Sequence, residues 1–195
     1  MAGNHPKPGS TVAMEPIKDL RAIAKIKARL AERPRDLALF VVGINTALRA
    51  GDLLGLTVRQ VRAILADGED GGVVRETKTN KRRRILFNSA ARQALLRLLE
   101  VHDGMTEERL FVGQRGPLSA SYLCRLVKGW CAAVGLRGQY GSHTLRKTWG
   151  YHQRVSFGVD IPTLMEVLGH STQRQTLTYL CIQPEEIRSV YANEL

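Results

Sequence analysis

Residues 142–179 read SHTLRKTWGYHQRVSFGVDIPTLMEVLGHSTQRQTLTY, and the way this stretch folds decides how the rest of the chain is understood. The spacing of its apolar residues predicts three helices, over 143–157, 161–168 and 172–182. Gly169 suits the left-handed conformation that ends a helix, which turns His170 into the space beyond. A helix beginning near Thr172 then presents Tyr179 about two turns further along. His143 and Arg146 are three apart, so on a helix they share a face. They fall in its first turn, where free N–H groups and the helix dipole favour an anion. A phosphate there would meet a planar guanidinium and an imidazole that can exchange a proton. Tyr179 carries a phenol of ordinary pKa ~10, a weak nucleophile at neutral pH. It becomes effective when cations surround the target and a base takes its proton. Each motif also has an ordinary structural reading: a solvated helix start, or a half-buried tyrosine with its hydroxyl bonded nearby.

Upstream, Ile17, Leu20, Ala24 and Ala28 recur at helical spacing and predict a helix over 17–30. Residues 36–50 predict a second helix that is apolar all round, the signature of a central element. Gly51 ends it, and residues 52–55 make a short further turn. Arg49, at the end of that apolar helix, needs a partner or a ligand, and Asp52 is a candidate partner. Thr57 and Gln60 form a capping box for a short helix through about Leu65. The period then changes. Residues 73–77 and 83–87 are β-capable runs flanking Lys78-Thr79-Asn80-Lys81, a hairpin with a basic tip. Lys78 or Lys81 could reach into a groove there as a flexible proton donor, although such charge runs commonly form solvated surface. Helices over 89–99, 119–134 and 185–192 and a short strand over 110–112 complete the pattern. The fold class is mainly α with a small antiparallel β-sheet (α+β).

Composition limits the function classes. Lys and Arg number 29 against 18 Asp and Glu in 195 residues, a formal net charge of +11. That excess calls for a polyanionic partner, nucleic acid before an anionic membrane surface. No apolar run approaches the roughly 20 residues that span a bilayer, so the chain is expected to be soluble and cytoplasmic. Cys124, Cys131 and Cys181 lack the paired spacing of a zinc site, and the first two fall on one apolar helical pattern as core residues. No Walker loop or Mg²⁺-binding carboxylate cluster is present, so neither cofactor nor metal is expected.

Taken in order, Arg49, Lys78, His143-x-x-Arg146, Leu168-Gly169-His170 and Tyr179 resemble the signature of the tyrosine recombinases, or phage integrases. The nine-residue step from His170 to Tyr179 matches that family, as does the roughly hundred-residue gap between Arg49 and His143. The resemblance implies the recombinase catalytic-domain fold over residues 15–195, behind a disordered tail over 1–14. It implies that Arg49 and Arg146 clamp the scissile phosphate and that Tyr179 attacks it to form a 3′-phosphotyrosine. Lys78 would protonate the leaving 5′-oxygen, His143 would assist proton transfer at Tyr179, and His170 would hydrogen-bond a phosphate oxygen. Lys81, Arg82, Arg83 and Lys147 are the expected DNA contacts. The partners implied are duplex DNA and further copies of the chain in a tetrameric synapse. A C-terminal helix over about 184–194 would either fold back on its own domain or, as the resemblance implies, be exchanged with a neighbouring protomer. The first motif departs from the family: Asp52 stands where a Glu-like residue is usual, one methylene shorter, which loosens the buttress of Arg49. Two other readings are a type IB topoisomerase-like activity and a non-catalytic DNA-binding module.

Overall fold

A computed structural model describes residues 14–68, 71–76, 80–102 and 108–182. Most of the expected N-terminal tail, Lys78 at the hairpin tip and the expected C-terminal helix lie outside the described residues.

Helix α1 (Leu20–Arg29) starts later than its apolar spacing suggests. Asp19 caps it, its carboxylate accepting from the Arg21 N–H. Ile17 is nevertheless fully buried, because the preceding segment runs extended across another helix. The Ile17 N–H donates to the Thr148 hydroxyl at 2.8 Å, and its carbonyl bonds His152 Nε2 at 2.9 Å. Apolar periodicity registered the burial of Ile17 and not the strap-like backbone that achieves it.

Helix α2 (Pro34–Asn45) is the central element, with Pro34 in its first turn and Ala38, Leu39, Phe40 and Val42 nearly or wholly inaccessible. It stops five residues short of the expected Ala50. Asn45 Nδ2 donates to the Val41 carbonyl at 2.8 Å and the Thr46 hydroxyl to that of Val42 at 2.9 Å. Thr46 is extended, so the chain leaves the helix there. A separate short helix, α3 (Ala50–Leu54), follows, and the expected capping box opens α4 (Val58–Ala66).

Strands β1 (Gly72–Arg75) and β2 (Arg82–Ile85) pair antiparallel, with Val74 opposite Arg83 and Gly72 opposite Ile85. Both are offset by a residue or two from the predicted runs. Beyond them lie α5 (Ser89–Glu100) and a second small ribbon, β3 (Val112–Gly113) with β4 (Gly116–Pro117). The predicted strand over 110–112 is thus displaced, and Leu110 and Phe111 are core residues. Helices α6 (Ala120–Ala133), α7 (Ser142–Val155), α8 (Ile161–Leu168) and α9 (Gln173–Leu180) complete the described chain.

The main core gathers α1 to α7 around α2, with Phe40 edge-on to Trp130 at 5.7 Å. A smaller apolar cluster of Ala47, Leu164, Leu168 and Leu180 is flanked by Trp149 and Tyr179. It packs α8 and α9 against α7 and against the break after α2. Gly150 makes the closest of these approaches possible: a Cβ there would stand 2.5 Å from Leu180 Cδ2.

Candidate active site

The break after α2 supplies the first component. Outside any helix, the Ala47 carbonyl accepts from Arg146 Nη1 at 2.6 Å, and Arg146 Nη2 donates to the Leu168 carbonyl at 2.7 Å. One buried guanidinium therefore ties α7 to the segment before α3 and to the end of α8. Burial lowers the Arg146 pKa to about 10, opposed most strongly by Tyr179, and leaves it a cation at neutral pH.

Arg49 occupies the N-cap position of α3 and not the end of a long helix. Its ion-pair partner is Glu76, at 2.7 Å from Nη1 to Oε1, where Asp52 was the expected residue. Its Nη2 lies against Gly169. Arg83 Nη1 reaches the same Glu76 oxygen at 3.6 Å and also donates to the Ala47 carbonyl at 2.9 Å. That carbonyl thus receives two guanidiniums. Burial lowers the Arg83 pKa, while Glu76 and, more weakly, the nearby buried Asp52 favour its cationic form.

Gly169 ends α8 in the left-handed region (φ 64°, ψ 40°), and the His170 N–H donates back to the Met165 carbonyl at 2.9 Å, as the expected helix stop requires. His170 Nδ1 hydrogen-bonds the Thr176 hydroxyl at 3.0 Å, and its ring stands edge-on to that of Tyr179 with centroids 5.0 Å apart. Burial holds the His170 pKa below its usual value, and Arg146 and Arg49 push it the same way. Burial raises the Tyr179 pKa, while Arg146 and then Arg49 work to lower it. The phenol is therefore neutral at rest and lies in the field of two guanidiniums that would stabilise its anion.

Arg49, Arg146, His170 and Tyr179 come together around this smaller cluster. His143 stands exposed in the first turn of α7, whereas Arg146 is inside. Of the expected DNA contacts, Lys81 and Arg82 are exposed, but Arg83 points inward. Lys147 is buried too, its ammonium 4.8 Å from the Tyr179 ring centroid and 3.5 Å from Cys181 Sγ. Beside Tyr179 an open pocket of about 480 Å³ is lined by Lys147, Thr172, Arg174, Gln175 and Thr178. Sequence reasoning missed Glu76 and gave Thr176 no role. Strand alternation offered a signal for the first, because Val74 and Glu76 share one face of the hairpin with Arg83 and Ile85.

The sequence model described as the phage integrase family matches residues 16–186. The chain belongs to the phage integrase family. It is 36% identical over 183 residues to the probable integrase/recombinase YoeC of Bacillus subtilis (strain 168), covering 91% of this chain and 95% of that one. The tyrosine recombinase XerD of Corynebacterium glutamicum is 31% identical over 80% of this chain, which spans 51% of that relative. Among solved structures, the XerA recombinase superposes with a TM-score of 0.70 at 20% identity, covering 96% of this chain and 66% of that one. A lambda integrase dimer bound to a core site gives 0.65 at 20% identity, covering 88% and 60%. These structures share the mainly helical fold with its small antiparallel sheets.

Proposed function

We propose that this phage integrase domain is a site-specific DNA recombinase that cuts and rejoins strands through a 3′-phosphotyrosine at Tyr179. The observation that carries the reading is the placement of one phenol beside His170 and in the field of two buried or half-buried guanidiniums. A phosphodiester is an anion, and its charge grows on the non-bridging oxygens as phosphorus becomes five-coordinate. Arg49 and Arg146 are fixed before DNA arrives, so they need little reorganisation to stabilise that charge. In the tautomer that carries its proton on Nε2, with Nδ1 accepting from the Thr176 hydroxyl, neutral His170 donates from Nε2 to a phosphate oxygen.

The Tyr179 oxygen attacks phosphorus and the bond to the 5′-oxygen breaks. The phenolic proton passes to a base, with His143 assisting, and Lys78 delivers a proton to the departing 5′-oxygen. One phosphodiester becomes another, so the bond energy is conserved and neither ATP nor a metal is needed. A 5′-hydroxyl from a second duplex reverses the steps, which calls for several protomers on paired DNA sites.

A nicked substrate that loses its short 5′-hydroxyl fragment after cleavage tests this directly. The wild-type chain should accumulate as a covalent DNA adduct. Tyr179→Phe should form none while binding the same DNA nearly as well, because only a hydroxyl is removed. Adduct formation by Tyr179→Phe would refute the assignment.

A further inference from the structure

Glu76 is an acid inside a site built to hold an anion. Its side chain is largely buried, and Oε1 lies 2.7 Å from Arg49 Nη1 and 3.6 Å from Arg83 Nη1. Its backbone is fixed as well, the N–H donating to the Lys81 carbonyl and the carbonyl accepting from the Asn80 N–H, both at 2.9 Å. A buried carboxylate in a phosphate-binding site opposes the substrate's charge, so its presence calls for a compensating role.

We propose that Glu76, braced by Arg83, is the positioning residue for Arg49. This rests on the recombinase reading of the site, where Arg49 contacts the phosphate. An arginine side chain otherwise samples many rotamers and would have to be ordered when DNA binds. The planar guanidinium suits a fixed carboxylate partner. With Nη1 ion-paired to Glu76, Nη2 lies at the end of α8, beside Gly169 and one residue from His170. Arg83 keeps Glu76 in place and fastens the hairpin to the Ala47 carbonyl that Arg146 also holds. Three guanidiniums face two buried carboxylates, Glu76 and Asp52, so the cluster stays cationic with the acid included.

The test is single-turnover cleavage of the nicked substrate by the full chain, alone and in a double-mutant cycle. Glu76→Gln keeps the shape and removes the charge. It should slow cleavage about 10- to 100-fold, the scale of a catalytic group displaced by a fraction of an ångström to an ångström. DNA affinity should stay within about twofold of the wild type. In an Arg49→Ala background the same change should have no further effect, since the group it positions is gone. Glu76→Asp should recover part of the rate. If Glu76→Gln lowers the thermal midpoint, Arg83→Met carries the same cycle, with a smaller loss that also disappears in Arg49→Ala. Wild-type cleavage by Glu76→Gln, or a loss that simply adds to that of Arg49→Ala, overturns the proposal. The wild-type adduct is the control: its failure to form at Tyr179 would refute the recombinase reading instead.

Discussion

Arg49 and Arg146 are both cations of the site, but their surroundings differ. Arg146 spends two nitrogens on the carbonyls of Ala47 and Leu168, so removing it takes that donor from the Leu168 carbonyl, leaves the Ala47 carbonyl to Arg83 alone and loosens the join between α7 and α8. Arg146→Ala should therefore reduce both stability and cleavage, whereas Arg49→Ala should act mainly on cleavage. Each should lower the single-turnover rate by at least ~10²-fold, the scale of losing one preorganised oxyanion donor. Lys78→Ala should slow cleavage of a normal substrate and be largely rescued by a 5′-thio leaving group, which needs no proton. Rescue of Lys81→Ala in its place would move the general acid three residues along. His170 adds a pH dependence. Its folded pKa lies below the usual value of about 6.5, so above that pH neither state holds the proton. As the pH falls through about 6.5 the unfolded chain is protonated first, and stability declines until the folded value is reached. Urea titrations from about pH 7 to about pH 5 should show a shallower decline for His170→Gln than for the wild type.

At the scale of elements, the site depends on how closely α9 approaches α7. Gly150→Ala places a methyl into Leu180, itself fully buried, and the overpacking should cost about 1–3 kcal/mol in chemical denaturation. Because Leu180 adjoins Tyr179, cleavage should fall more than stability alone explains; equal cleavage rates would show that the phenol is placed independently of this contact. The elements carrying the proposed chemistry were the most legible from sequence. Helix α8 has the predicted bounds, α9 starts one residue after the expected Thr172 and ends two before the expected Ile182, and Gly169 stops α8 in the left-handed conformation. Their signals are local: a glycine, a capping threonine, a helical period. The break after Asn45 was not legible, since it depends on Asn45 and Thr46 turning their side chains back on the helix, while periodicity registers only that Ala47 and Leu48 are buried. The inward turn of Arg83 and Lys147 was hidden for a related reason. A basic residue reads as surface until a buried carboxylate or an aromatic face is known to await it. Strand alternation could have placed Arg83, but nothing local pairs Lys147 with a tyrosine thirty-two residues away.

For the whole molecule, a main core built around α2 carries a smaller cluster in which Ala47, Leu168 and Tyr179 meet. A site assembled from four separated stretches depends on that meeting. The proposed strand exchange adds a second requirement, contact between protomers. Ile187, Val190 and Tyr191 recur at helical spacing in the C-terminal sequence, which lies outside the described residues, and a helix there would carry them as one apolar stripe. A helix of about eleven residues is too short to persist without a surface to cover. Deleting residues 185–195 should impair assembly on paired sites, read by sedimentation or native mass spectrometry, while sparing binding of one protomer to one site. A truncated chain that assembles and recombines normally would confine that segment to its own subunit. The central claim concerns a single covalent bond. After trapping on the nicked substrate and proteolysis, mass spectrometry should find the DNA 3′-phosphate on the peptide containing Tyr179, esterified to that residue. A 3′-phosphate carried by Tyr191 or any other residue would contradict the account.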